Sequence, residues 1–294
     1  MSAPWLVVGA TGMLGREVTA RLRRDGEEVI GLGRAGLDIT DAAAVRRLVT
    51  AHRPAVLVNC AAWTAVDAAE EREPEALLVN GRGPAHLADA CRSTGTRLLH
   101  VSTDYVFPGD ARRPYAENDP TGPVNAYGRT KLAGERAVLE RLPDHGHVVR
   151  TAWLYGAGGP SFVRAMIRAE RVRDTVDVVD DQHGQPTWSA DLAGLLVRLG
   201  RAALAGTARP GVRHGTSAGQ TTWYGLAREV FRLLDADPDR VRPVSGSTLR
   251  RAARRPAYGV LACRRPQPGV EPIRDWRAAL AAALPEMVET EQQT

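Results

Sequence analysis

The stretch Gly9-Ala10-Thr11-Gly12-Met13-Leu14-Gly15 restricts this chain more than any other. It follows a short apolar run, Trp5 to Val8, that reads as a strand. It opens a segment in which Leu14, Val18 and Leu22 recur four apart with charges between them, the spacing of an amphipathic helix. Strand, glycine turn and helix, in that order, are the context a dinucleotide fingerprint requires. Gly9 permits the tight turn, Gly12 lets the backbone approach a pyrophosphate, and Gly15 lets helix pack on strand. The phosphates then meet the unpaired N–H groups of the helix N-terminus. A glycine cluster alone would mean only a turn; the flanking elements select the fingerprint.

The same alternation continues. Strands are predicted at Glu28–Leu32, Val56–Cys60, Leu98–Ser102 and Val148–Thr151, with helices at 42–52 (Asp41 as N-cap), 67–72, 74–93 and from Ala126. Such alternation implies right-handed crossovers, a parallel sheet, and ligand at the carboxyl ends of its strands. After the second strand, where an NAD site usually places an acid, stands Gly33-Arg34. A guanidinium fits a 2′-phosphate, so NADPH is favoured, with NADH as the alternative. Asp38 is placed to touch the adenine edge, and Ala61-Ala62 are small where backbone must pass close to a cofactor.

Beyond Gly156 the regularity ends: a helix at 162–171, a strand at 176–179, helices at 189–204 and 222–234, and a strand at 212–216 that returns to the main sheet. The fold class expected is α/β, a Rossmann-type doubly wound parallel sheet in residues 1–155 carrying the catalytic residues. Residues 156–294 form a smaller, partly interleaved substrate lobe, from which a segment near 211–235 returns. A short helix around Trp276 and a polar, frayed tail after Pro285 end the chain.

Tyr127 and Lys131 supply the chemistry. Lys131 is the only lysine beside 38 arginines, and it lies four residues after one of six tyrosines, on the same helix face. Chance placement gives that spacing in roughly 2% of cases. Lysine is a compact ammonium where arginine is a wide, permanently charged fork. An ammonium beside a phenol favours the phenolate, so Lys131 is expected to lower the pKa of Tyr127 from about 10.

Taken with Thr103 at a strand end, Gly9-x-x-Gly12-x-x-Gly15 and Tyr127-x-x-x-Lys131 resemble an extended short-chain dehydrogenase/reductase. Ala61-Ala62-Trp63-Thr64-Ala65-Val66-Asp67, Ser102-Thr103-Asp104-Tyr105-Val106-Phe107, Arg150-Thr151-Ala152-Trp153 and Asp181-Gln182-x-Gly184-x-Pro186-Thr187 narrow the resemblance to the dTDP-4-dehydrorhamnose reductase family of dTDP-4-keto-6-deoxysugar reductases. It runs from residue 5 to about 235, with Arg255-Pro256 as a last echo.

The resemblance implies hydride transfer from NADPH to C4 of the sugar. Tyr127 is the implied general acid, Lys131 tunes it and holds the nicotinamide ribose, and Thr103 hydrogen-bonds the carbonyl. It places the cofactor against Gly9, Thr11, Gly12, Met13, Leu14, Arg34, Asp38, Ile39, Ala61, Ala62, Thr64, Tyr127 and Lys131. It places the substrate against Val66, Thr103, Asp104, Tyr127, Trp153 and Gln185, with Gln185 and Arg255 toward the nucleotide diphosphate. Val66 and Trp153 read equally as core packing, and Arg34 and Arg255 as solvated surface. Glu17 matches a magnesium contact of some members, but Asp191 stands where a second glutamate is expected, so no required metal is expected, and the chain is a monomer or homodimer.

Other readings are an epimerase or dehydratase of the same fold, or a non-catalytic NADP-binding subunit. Arg34 opposes the epimerase, the lack of a glutamate after Asp104 opposes the dehydratase, and the intact Thr103, Tyr127 and Lys131 oppose lost catalysis. The net charge of +5 suits a phosphate-bearing ligand, and no aromatic-basic stripe or binding motif points to nucleic acid. Cys60, Cys91 and Cys263 lack metal or disulfide spacing, Cys60 and Cys91 reading as buried free thiols. No apolar run reaches the roughly 18 residues of a membrane helix. A cytoplasmic location is expected.

Overall fold

The computed structural model describes residues 3–263 and 269–293. Its first half alternates as the hydrophobic pattern requires: β1 (Trp5–Val8), α1 (Met13–Arg24), β2 (Val29–Leu32), α2 (Ala42–His52), β3 (Val56–Asn59), α3 (Val66–Glu71), α4 (Glu73–Leu77), α5 (Gly83–Thr94), β4 (Arg97–Thr103), α6 (Ala126–Arg141) and β5 (Gly146–Thr151). Then come β6 (Leu154–Tyr155), α7 (Phe162–Val172), β7 (Val176–Val179), β8 (His183–Gly184), β9 (Thr187–Trp188), α8 (Ser189–Leu204) and β10 (Gly211–His214). The chain closes with β11 (Ser217–Ala218), β12 (Thr221–Thr222), α9 (Trp223–Leu233), β13 (Val241–Val244), β14 (Ile273–Asp275) and α10 (Trp276–Gln292).

The six-stranded parallel sheet runs β10-β5-β4-β3-β1-β2. Each strand of β1 and β3 is buried along its length, because helices cover both faces of such a sheet. Trp5 and Val7 point into the cluster with α1 and α8, while Leu6 and Val8 point into the cluster with α2, α5 and α6. Strand order reverses between β1 and β3, which opens a crevice beyond their carboxyl ends. There the two connections touch: a Cβ on Gly9, whose φ is +78°, would lie 2.6 Å from the Ala61 nitrogen. A Cβ on Gly15 would lie 2.1 Å from the Gly9 oxygen, so α1 packs against the turn only because position 15 has no side chain.

Local signals operate as read: Asp41 accepts from Ala43 N and Ala44 N at 2.9 and 3.0 Å and caps α2. Three expectations are corrected. The helix predicted over 74–93 is broken by a π turn at Leu78–Arg82, where Asn80, Gly81 and Gly83 offer little helical preference of their own. The return to the sheet starts at α8, which packs on α1, and ends at β10; α9 joins the other lobe with α7 and α10. Residues 286–292 are helical, not frayed. α10 continues through Pro285, because Met287 is fully buried beyond it and Glu291 is held by Arg164 and Arg168. Packing and an ion pair there outweigh the roughly 3 kcal/mol a proline costs inside a helix.

The sequence from 250 to 265 is rich in arginine and is broken by Pro256 and Pro266; its Arg264 and Arg265, and Pro266, lie outside the described residues. The upstream part, 253–261, pairs with the loop after β4 and with β8: Val260 O accepts from Tyr115 N at 2.9 Å and Ala257 O from His183 N at 2.8 Å. Among the described residues no helix is long and apolar enough to cross a membrane.

Candidate active site

The end of β4 and the start of α6 are brought together by backbone contact. Asn125 caps α6 by accepting from Gly128 N at 2.8 Å, and its Nδ2 donates to Arg254 O at 2.8 Å. A Cβ on Gly128 would lie 2.2 Å from Tyr105 O, so the helix rests directly on the turn that follows Thr103. The Tyr105 and Tyr127 rings meet edge-on at 5.6 Å. Thr103 Oγ1 donates to Asp104 Oδ1 at 2.9 Å and accepts from Tyr105 N at 3.1 Å. One turn along α6, Lys131 is 2% exposed, and its Nζ donates to Val101 O at 2.7 Å. Glu135, another turn on, forms a buried pair with Arg150 at 2.6 Å.

The electrostatics correct one expectation. Burial and then the Asp104 carboxylate push the Tyr127 phenol up to about 12, opposed by a hydrogen bond with Thr103. Lys131 is not among the groups that move it; its ammonium donates to the Val101 carbonyl. Burial brings Lys131 itself down to about 8, against the pull of Glu135 and Cys60. The phenol is therefore held firmly protonated, which suits a proton donor.

Burial raises Asp104 from its ordinary 3.8 to about 7, although hydrogen bonds from Thr103 and the backbone pull it down. An acid held up in this way binds its proton more tightly folded than unfolded. The carboxyl therefore costs stability progressively as pH climbs from about 4 to about 7. Asp104→Asn is expected to raise Tm more at pH 8 than at pH 5. Equal shifts at both values would mean that Asp104 does not titrate in this window.

Of the residues expected at the cofactor, the glycine turn and Ala61 meet at the crevice between β1 and β3. Gly12 starts α1 with no side-chain cap, and no acid occupies its first turn, so the helix N-terminus and the glycine backbone form a cradle whose charge and shape fit a pyrophosphate. Thr11 lies against Gly33, whose Cβ would sit 2.6 Å from the threonine methyl carbon. Arg34 extends into solvent, its side chain 88% exposed and its Nε 3.9 Å from Asp38. Asp38 is engaged locally, accepting from Thr40 N and Oγ1. Ile39 packs against Gly83, and Ala61 N donates to Asn59 Oδ1.

On the substrate side, Val66 opens α3 and is half-buried. Trp153 follows β5 at φ +45° and stacks on Trp223 at 3.5 Å, with the Gly184 backbone against its other edge. Gln185 is buried, its Nε2 donates to Ser217 O at 3.0 Å and its Oε1 accepts from Leu261 N at 2.7 Å. Its amide thus joins three backbone segments. Arg255 is gripped by both oxygens of Asp67 at 2.7 and 3.0 Å. Glu17 faces the charge of Glu286, while Asp191 is bound by Arg274 at 2.7 Å.

Sequence reading missed Asn80. On the π turn, its carboxamide accepts from Trp63 N at 2.8 Å and donates to Trp63 O at 3.0 Å and Thr130 Oγ1 at 3.1 Å. It ties the 61–64 segment to α6, between Tyr127 and Lys131. The available signal was Asn-Gly-x-Gly-Pro inside an apolar helical pattern, a run of poor helix formers.

Fold and site together define a Rossmann-type oxidoreductase of the short-chain kind. The family model described as RmlD substrate binding domain matches residues 4–289, well past the point where the motifs thin out. This chain belongs to that family. It is 64% identical over 282 residues to a dTDP-4-dehydrorhamnose reductase of Streptomyces griseus, covering 96% of this chain and 93% of the relative. It is 56% identical over 288 residues to a dTDP-4-keto-6-deoxy-D-glucose reductase of Streptomyces niveus, covering 97% and 98%. The crystal structure of the Bacillus anthracis dTDP-4-dehydrorhamnose reductase in complex with NADP superposes with TM-score 0.90 at 33% identity, covering 97% of this chain and 100% of that one.

Proposed function

We propose that this chain uses NADPH to reduce the 4-keto group of a dTDP-4-keto-6-deoxyhexose to the alcohol. The observation that carries the reading is the meeting of Thr103, Tyr127 and Lys131 at the end of β4, with the uncapped glycine turn of α1 at the neighbouring strand ends. NADPH, when bound, supplies the hydride. Tyr127, held protonated by its surroundings, gives its proton to the carbonyl oxygen as negative charge develops there. The Thr103 hydroxyl steadies that oxygen, exchanging its present bond to Asp104 for the substrate. Lys131 provides positive charge beside the ribose. Met13 and Leu14, at the N-terminus of α1, take the pyrophosphate on backbone N–H groups where Gly9 and Gly12 let it approach, and Arg34 folds onto the 2′-phosphate. Ala61, Ala62 and Thr64 border the nicotinamide side, with Val66, Asp104 and Trp153 around the sugar.

The reading is tested by mixing the protein with NADPH and dTDP-4-keto-6-deoxyglucose, with and without a 3,5-epimerase, and following NADPH absorbance. Consumption is expected under one condition or both, and its absence from both overturns the proposal. Arg34→Ala is expected to raise KM for NADPH about tenfold, the usual worth of a hydrogen bond to a charged group, while KM for NADH stays unchanged. Equal effects on the two cofactors would remove Arg34 from the 2′-phosphate.

A further inference from the structure

We propose that Glu291, in the last turn of α10, is a positioning residue for the cofactor turn. It holds Arg164, and Arg164 holds the 157–159 loop against Met13 at the start of α1. The Glu291 carboxylate is buried, accepting from Arg164 Nε and, at 3.1 Å, from Arg168 Nη1 on both oxygens. Arg164 and Arg168 lie one turn apart on α7, so one carboxylate serves both. Arg168 is 53% exposed and stays hydrated without its partner, whereas Arg164 is 12% exposed. Its Nη1 also donates to Ala157 O at 3.3 Å and Gly159 O at 3.4 Å.

Those two carbonyls belong to a loop whose glycines lie on Met13. A Cβ at position 158 would sit 3.5 Å from Met13 Cα, and one at 159 would sit 3.6 Å from Met13 Cβ and Cε. At 156 a Cβ would come 2.2 Å from Ser189 Oγ and 3.6 Å from Met13 Cγ, so the loop has no slack on its other side. Met13 is the first residue of α1, and the mechanism above assigns its N–H to the pyrophosphate. The inference rests on that assignment. Without Glu291, Arg164 becomes an unpaired, largely buried cation and is drawn toward water, releasing both loop carbonyls. The chain thus links its C-terminal helix to the geometry of the glycine turn through one carboxylate and one guanidinium.

The test compares Glu291→Gln, Arg164→Gln and the double variant in the full chain. Glu291→Gln is expected to raise KM for NADPH about tenfold, with kcat and KM for the sugar within about twofold of the parent. The double variant is expected to match the worse single variant, because the two residues act as one unit. Additive losses, an unchanged KM for NADPH, or an equal rise in KM for the sugar would overturn the proposal. Hydrogen exchange without NADPH separates this link from the cofactor reading: Glu291→Gln is expected to speed exchange of amides 157–159 and 13–15. Unchanged exchange overturns the link whether or not NADPH binds. Faster exchange in a protein that fails to bind NADPH would overturn the cofactor reading instead.

Discussion

Tyr127→Phe is expected to lower kcat by about 10² to 10⁴, the range for loss of a positioned proton donor, with NADPH affinity nearly unchanged. The substitution removes one oxygen from a ring that stays packed edge-on against Tyr105, so the helix and the cofactor turn keep their geometry. Burial and Asp104 keep the phenol protonated to about 12. The donor form is therefore available throughout the neutral range, and the rate should not fall off with an ionising tyrosine until strongly alkaline pH. Single-turnover measurement of NADPH oxidation reads the chemical step directly. Turnover within about threefold of the parent would show that another group delivers the proton, because a lost general acid costs far more.

Lys131→Arg is the second large effect, a loss of turnover of about a hundredfold, as expected for misplacing a catalytic contact by an ångström. The side chain is 2% exposed, and its one nitrogen is fitted to Val101 O at 2.7 Å. A guanidinium is wider, and overpacking a buried slot costs about 1–3 kcal/mol. It is also charged at every pH, whereas Lys131 at about 8 can change its charge near neutrality. Lys131→Met separates the two causes, keeping the volume and removing the charge. If arginine is inactive and methionine active, the slot is steric only, and the ammonium has no part in the reaction.

Much of this arrangement could be read from local residue order. The strand–glycine–helix order of residues 5–24 announced the nucleotide crevice, since a Cβ at Gly9 or Gly15 would collide with backbone. Asp41 was legible as a cap because capping is decided within three residues. Tyr127 and Lys131 were legible as a pair because helical spacing alone sets them on one face.

What remained hidden depends on partners far away in the chain. Gln185 looked available to a diphosphate until Ser217 and Leu261 occupied both ends of its amide. Arg255 looked like a phosphate ligand until Asp67, 188 positions earlier, took its guanidinium. The fall of the Tyr127 pKa expected from Lys131 was reversed by burial and by Asp104, neither of which helical spacing encodes.

By itself, then, the amino-acid order determined the sheet, the glycine cradle, the shared face of Tyr127 and Lys131 on α6 and the family the chain belongs to. These follow from periodicity, backbone sterics and short-range capping. Only the tertiary structure decided which polar side chains remain free for a ligand, where the Lys131 ammonium points, and that α10 runs through Pro285 to place Glu291 on Arg164. A polar group satisfies its hydrogen bonds with whatever folding brings nearest, and distance along the chain says little about that.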